Sequence, residues 1–197
     1  MTLTFALLGA LLMSASAHGG VQEFTDKDEW IDAVGEFTTI DFTGFPEGTF
    51  ITDQYADLGV LFTDGNDTIQ ESGVFVDGHG LRGSGIITLA FDLPQAYIGV
   101  DYPGAMKIEL FNEGRLIYTS SDFGLGGVGN FAGLLSTDLF DGALLYDWID
   151  GTVFIDDLHF GVPAPGTLPL LALGALTQRR RRIGVRAVEF VGPQHFL

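Results

Sequence analysis

Cysteine is absent from this chain of 197 residues, which removes disulfides, thiolate metal sites and a cysteine nucleophile. A secreted form would have to be held by packing, or by packing and an ion. Basic residues are scarce, 9 Lys and Arg against 26 Asp and Glu, for a formal net charge of −17. The imbalance is sharper in the body, where only Lys27, Arg82, Lys107 and Arg115 oppose every acid except Glu189. Such a surface repels phosphate backbones and attracts divalent cations, so nucleic acid is excluded as a partner. Long apolar runs are also lacking. The two candidates, Phe5 to Met13 and Leu168 to Leu176, fall far short of the roughly 20 residues of a membrane-spanning helix.

What is present is glycine, at 28 residues, and phenylalanine, at 17. Glycine weakens helices and aromatics favour strands, so the composition predicts one all-β domain with many turns. One helix is expected, over Lys27 to Val34, where Trp30, Ile31 and Val34 recur near helical spacing behind a Thr25 or Asp26 cap. Phe24 is counted with that apolar face. After it the pattern turns to strands: Thr38 to Phe42, then one that ends at Asp64-Gly65. Gly73 to Val76, Gly85 to Asp92, Ala96 to Tyr102, Met106 to Asn112, Arg115 to Ser120, Ala143 to Ile149 and Thr152 to Phe160 follow. Asn112-Glu113-Gly114 reads as a hairpin loop. Short strands joined by Gly, Asp and Asn turns predict a sandwich or a barrel.

Several clusters could carry chemistry. Asp156-Asp157 are adjacent acids on a strand, so alternation sends one inward and one outward. They could ligate a divalent cation or form a solvated acidic edge that blocks strand addition. Asp64-Gly65-Asn66-Asp67 and Asp77-Gly78-His79-Gly80 are further oxygen-rich clusters that turn chemistry also explains. Two matches to G-x-G-x-x-G, from Gly78 to Gly83 and from Gly124 to Gly129, open no helix and read as flexible loops. Of the histidines His18, His79, His159 and His195, His159 follows the Asp pair and reads as a packed or edge residue rather than a base. Tyr97, Tyr102, Tyr118, Tyr146 and Trp148 are either core or a stacking face for sugar rings.

The ends have their own grammar. Residues 1–17 place an apolar stretch before Ala15-Ser16-Ala17, the order of a signal peptide and its cleavage site. Val162 to Arg182 carries Pro163 and Pro165, a short apolar run and Arg179, Arg180, Arg181 and Arg182. Together with Ile40 to Phe62 and Val153 to Arg182, this tail resembles the PEP-CTERM family of exported bacterial proteins. The resemblance implies a jelly-roll-like β-sandwich whose tail is recognised by a membrane-embedded exosortase and cut near the prolines. It also implies a setting of biofilm or exopolysaccharide production. The tail departs from the family pattern at Ala164, where an acid is usual, in its short apolar run, and in residues 183–197, which extend past the arginines. It therefore reads as a shortened or frame-disturbed signal, either still processed or retained.

In jelly-roll sandwiches the first and last strands commonly run side by side, so Asp41 is expected to approach Asp156. Resemblance to calcium-bearing carbohydrate-binding sandwiches favours Asp156 over Asp157. The expected metal residues are thus Asp41, Asp156 and Asp157, with Ca²⁺ as the ion. The expected organisation is a signal peptide at 1–17, a β-sandwich at 18–161, a sorting signal at 162–182 and an unstructured extension at 183–197. The expected function is that of a non-enzymatic surface or extracellular-matrix protein, exported and transiently attached to the inner membrane through its tail. Its partners would be the exosortase, the export machinery and extracellular polysaccharide. The alternatives are a calcium-supported carbohydrate-binding module and, third, a secreted polysaccharide hydrolase.

Overall fold

The computed structural model describes residues 20–149 and 151–162. The expected signal peptide, the sorting elements from Pro163 onward and the extension 183–197 lie outside the described residues, as do His18 and His195.

Helix α1 (Lys27–Val34) forms where its signals predict. Asp26 accepts from Glu29 N–H at 3.0 Å, Asp28 and Glu29 occupy the first turn, and Gly35 ends the helix by donating to Ile31 O. Ten strands accompany it: β1 (Val21–Phe24), β2 (Thr38–Ile40), β3 (Val60–Phe62), β4 (Thr68–Glu71), β5 (His79–Ser84), β6 (Ile86–Asn112), β7 (Arg115–Thr119), β8 (Phe123–Tyr146), β9 (Thr152–Ile155) and β10 (Leu158–Gly161). They build a seven-stranded sheet with the path β1-β8-β6-β10-β2, on which β3 and β7 also pair with β6, and a three-stranded sheet β4-β5-β9. All described pairings are antiparallel, and the fold is all-β and sandwich-like.

The long strands β6 and β8 organise the larger sheet. Ile86 to Ala90 pairs with Gly142 to Tyr146, Tyr97 to Tyr102 pairs with Asn130 to Leu135, and Lys107 to Phe111 pairs with Gly142 to Tyr146 again. The end of β8 therefore lies between the first and last thirds of β6. Register breaks fall between Ala90 and Gln95 and between Tyr102 and Gly104, at Pro94 and Pro103. Proline cannot donate to a ladder, which is why β6 bends there. The three separate strands expected across this stretch are the three straight parts of β6.

One core joins the parts: Ile98 and Val100 of the middle third of β6 meet Leu89, Ile108 and Leu145, and Leu81 and Ile155 of the smaller sheet. A second cluster lies beneath α1, where Trp30 and Val34 cover Phe24, Tyr97, Phe131 and Leu135. Trp30 is fully buried because the sheet below it is bare: Gly99 pairs with Gly133, and a Cβ on Gly133 would stand 2.4 Å from the Trp30 ring.

Four expectations are corrected. Gly73 to Val76 is a turn, not a strand, because Ser72 O accepts from Phe75 N–H; the strands here are β4 and β5. Both glycine-rich matches, apart from Gly78, lie in strands, β5 and β8, rather than in flexible loops. At Gly80 and Gly83 the missing side chain makes room for Phe75, Ile87 and Val153. Phe24 lies on β1, not on a helical face. Thr152 to Phe160 is broken at Asp156-Asp157, where the chain passes from the smaller sheet to the larger.

Candidate functional site

That break builds a cluster of polar groups. Asp156 N–H donates to Asp101 O at 2.7 Å and Asp101 N–H donates to Asp157 O at 3.0 Å, so the crossing is stitched to the middle third of β6. On β10, His159 pairs with Gly99 on one side and Thr39 on the other. Strand alternation puts His159, Asp101 and Thr39 on the face that α1 covers, while Leu158 and Phe160 enter the main core.

Asp101 Oδ2 takes two partners, Lys27 Nζ at 2.6 Å and His159 Nε2 at 2.8 Å. Lys27, the first residue of α1, also stands 3.8 Å from Asp157 Oδ2. His159 Nδ1 meets Thr39 Oγ1 at 2.9 Å. An ionised carboxylate only accepts, so Nε2 carries the hydrogen, and in the neutral ring Nδ1 then accepts from the Thr39 hydroxyl. The ring is buried, at 2 % exposure, against Trp30, Phe37 and Phe131.

Burial alone would raise the Asp101 pKa, but the hydrogen bonds and charges of His159 and Lys27 outweigh it and hold the carboxyl below its ordinary value. Asp157 moves the other way, raised first by burial and then by the charge on Asp101. The two acids thus share a cation unequally, and Lys27 sits against Asp101.

Ligand atoms of Asp101, Asp157 and His159 all lie within 4.8 Å of one another, so the group could hold a metal ion. Its imidazole makes it not specific for calcium, which favours oxygen donors. The Lys27 ammonium already neutralises Asp101, and a metal ligated by that oxygen would have to displace it. As it stands, the group ties β6 to α1 by charge and to β10 and β2 by hydrogen bonds.

The sequence-derived site residues separate within this region. β2, which precedes Asp41, pairs with the last strand β10, but the first strand, β1, pairs with β8 instead. Asp41, just past β2, is exposed and caps its own turn, accepting from Thr43 N–H at 3.1 Å and from Thr43 Oγ1 at 2.9 Å. Asp156 is buried and accepts from Val76 N–H at 2.6 Å. Asp157 joins Asp101 and His159; Asp41 and Asp156 lie outside that group.

Asp101, Lys27 and Thr39 escape a reading of the sequence alone. A weak signal exists for Asp101, the one acid within the apolar strand Ala96 to Tyr102. Lys27 and Thr39 carry none. Among the aromatics considered for sugar stacking, Tyr97 and Tyr102 are buried, Tyr118 donates to Glu23, Tyr146 donates to Glu109, and Trp148 is 43 % exposed.

No protein-family model matches this chain, and a search of curated proteins finds no relative.

Proposed function

We propose that this chain is an exported, non-enzymatic surface or extracellular-matrix protein of a Gram-negative bacterium, with a jelly-roll-like body sorted by an exosortase-type system. One observation supports this reading: every described strand lies between the two processing points expected from the sequence. Strand β1 starts at Val21, just past Ala17, and β10 closes at Gly161, just before Pro163. Removing residues 1–17 and cutting near Pro163 and Pro165 would leave every described strand intact. Among the described residues no helix is long and apolar enough to cross a membrane; in this reading transient attachment is through the tail and its Arg179 to Arg182 cluster. The Asp101–His159 pair, buried and capped by Lys27, supports a scaffold role, because its polar atoms are committed to one another.

Fractionation of a Gram-negative host that has an exosortase tests this. The reading predicts the protein outside the cytoplasm and sensitive to protease added to whole cells; a protease-protected cytoplasmic pool would overturn it. A second reading, a carbohydrate-binding module, has one observation in its favour: Trp148 is 43 % exposed beside Ile149 at 51 %, an apolar surface of the kind sugar rings stack on.

A further inference from the structure

A different acid has a buried carboxylate that no N–H or O–H donor reaches. After β3, Thr63 N–H donates to Thr88 O, and the chain makes a tight turn in which Asp64 Oδ1 accepts from Asn66 N–H at 2.9 Å. Asn66 Nδ2 closes the turn on Asp64 O at 3.2 Å, and Gly65 supplies the positive φ of 72° that the turn requires. This geometry drives Asp67 inward. Its side chain is 0 % exposed, and neither carboxylate oxygen has a hydrogen-bond partner.

That carboxylate lies beside β5. Gly83 on β5 makes room for it: a Cβ there would stand 3.0 Å from Asp67 Oδ1, 2.5 Å from Ile87 Cγ1 and 2.7 Å from Val153 Cγ1. The neighbouring polar group is another acid, Asp64. Burial first, and then the charge and hydrogen-bonding contact of Asp64, push the Asp67 carboxyl up to about 8. An ionised carboxylate in such a place needs a positive partner. A proton shared with Asp64 would serve one Asp67 oxygen and leave the other without a donor. A cation bound by both oxygens serves the whole group.

We propose that Asp64 and Asp67 ligate a hard divalent cation of the calcium class beneath the 64–67 loop. The donors at hand are the carboxylate oxygens of Asp64 and Asp67. Calcium takes six to eight such donors, accepts carboxylates bidentately and fills its remaining positions with water. The site is separate from the Asp101 group, and the inference does not rest on the export reading. The 64–67 loop runs from β3 of the larger sheet to β4 of the smaller one, so a bound ion would brace that connection.

The test uses the full chain, stripped with a chelator and titrated with calcium chloride at neutral pH and constant ionic strength. Equilibrium dialysis with radiocalcium gives the affinity, and a thermal melt gives the stabilisation that binding confers. The expected result is saturable binding with a rise in Tm, abolished by Asp67→Asn and kept by Asp156→Asn. Asp64→Asn, which alters a less buried acid, should weaken binding by about tenfold or more, a loss typical even of an outer-shell partner. If Asp67→Asn does not fold, Asp64→Asn carries the test alone. Absence of binding and of a Tm response in the unaltered chain would overturn the proposal. So would a response untouched by Asp64→Asn, or one lost in Asp156→Asn instead.

Discussion

Asp101 holds two cationic or donor groups at a single oxygen, so its loss is felt by both. Asp101→Ala leaves His159 Nε2 without its acceptor under a roof of aromatic rings and releases Lys27 from α1. Removing one member of a buried charged pair is costly because the other stays unpaired, and about 2–3 kcal/mol of stability should be lost. Lys27→Ala should cost less, about 1 kcal/mol, since the lysine side chain is 35 % exposed and water can replace part of its role. Urea unfolding followed by tryptophan fluorescence measures both; a smaller loss for Asp101→Ala than for Lys27→Ala would contradict the account.

Asp156 gives a signature in pH. Burial raises it, the Val76 N–H bond opposes this, and the charges of Asp77, Asp157 and Asp101 raise it further, to about 6 against 3.8 ordinarily. Between those values the folded chain holds a proton that the unfolded chain has released, so this group's contribution to stability falls as pH rises from 3.8 to about 6. Asp156→Asn should remove that fall and leave the variant relatively more stable at neutral pH. Urea midpoints for the two proteins that run parallel across the window would contradict this. At this scale the sequence is partly legible. Adjacent acids on a strand mark Asp156 and Asp157, but Asp101 meets His159 only through the pairing of β6 with β10, and Asp67 reads as an ordinary turn residue until the fold turns it inward.

Among the elements, α1 is readable and β8 is not, for opposite physical reasons. The helix carries a cap, acids in its first turn and an apolar face, all within the span it covers. Strand β8 begins Phe123-Gly124-Leu125-Gly126-Gly127, a composition that speaks for a loop and is overridden by pairing with β6. Its glycines have a further use at Gly133, under the Trp30 ring. Gly133→Ala would place a Cβ 2.4 Å from Trp30 Cδ1 and 2.7 Å from Phe131 Cε1. The ring cannot yield without lifting α1, so a loss of about 1–3 kcal/mol is expected. Chemical denaturation checks the size, and a red shift of native tryptophan emission would report the lifted helix. Gly35→Ala meets no atom within 4 Å, so any loss there comes from its positive φ of 83° and should leave the Trp30 emission unchanged.

For the molecule as a whole, composition already implies an all-β body, and the acid excess of the chain sets its surface character. The order of strands is not legible, because long-range pairings such as β1 with β8 leave no local trace. Carbohydrate binding belongs to this scale too: if the second reading holds, Trp148→Ala should abolish binding on a glycan array without lowering Tm, and an array with no signal for the unaltered protein would remove that reading. The central proposal is that processing after Ala17 and near Pro163 would leave every described strand intact. Intact-mass analysis of the protein recovered from an exosortase-bearing Gram-negative host tests it most directly. The account predicts a mass that begins at His18 and lacks Arg179 to Arg182; a product that keeps both Met1 and the arginines would contradict it.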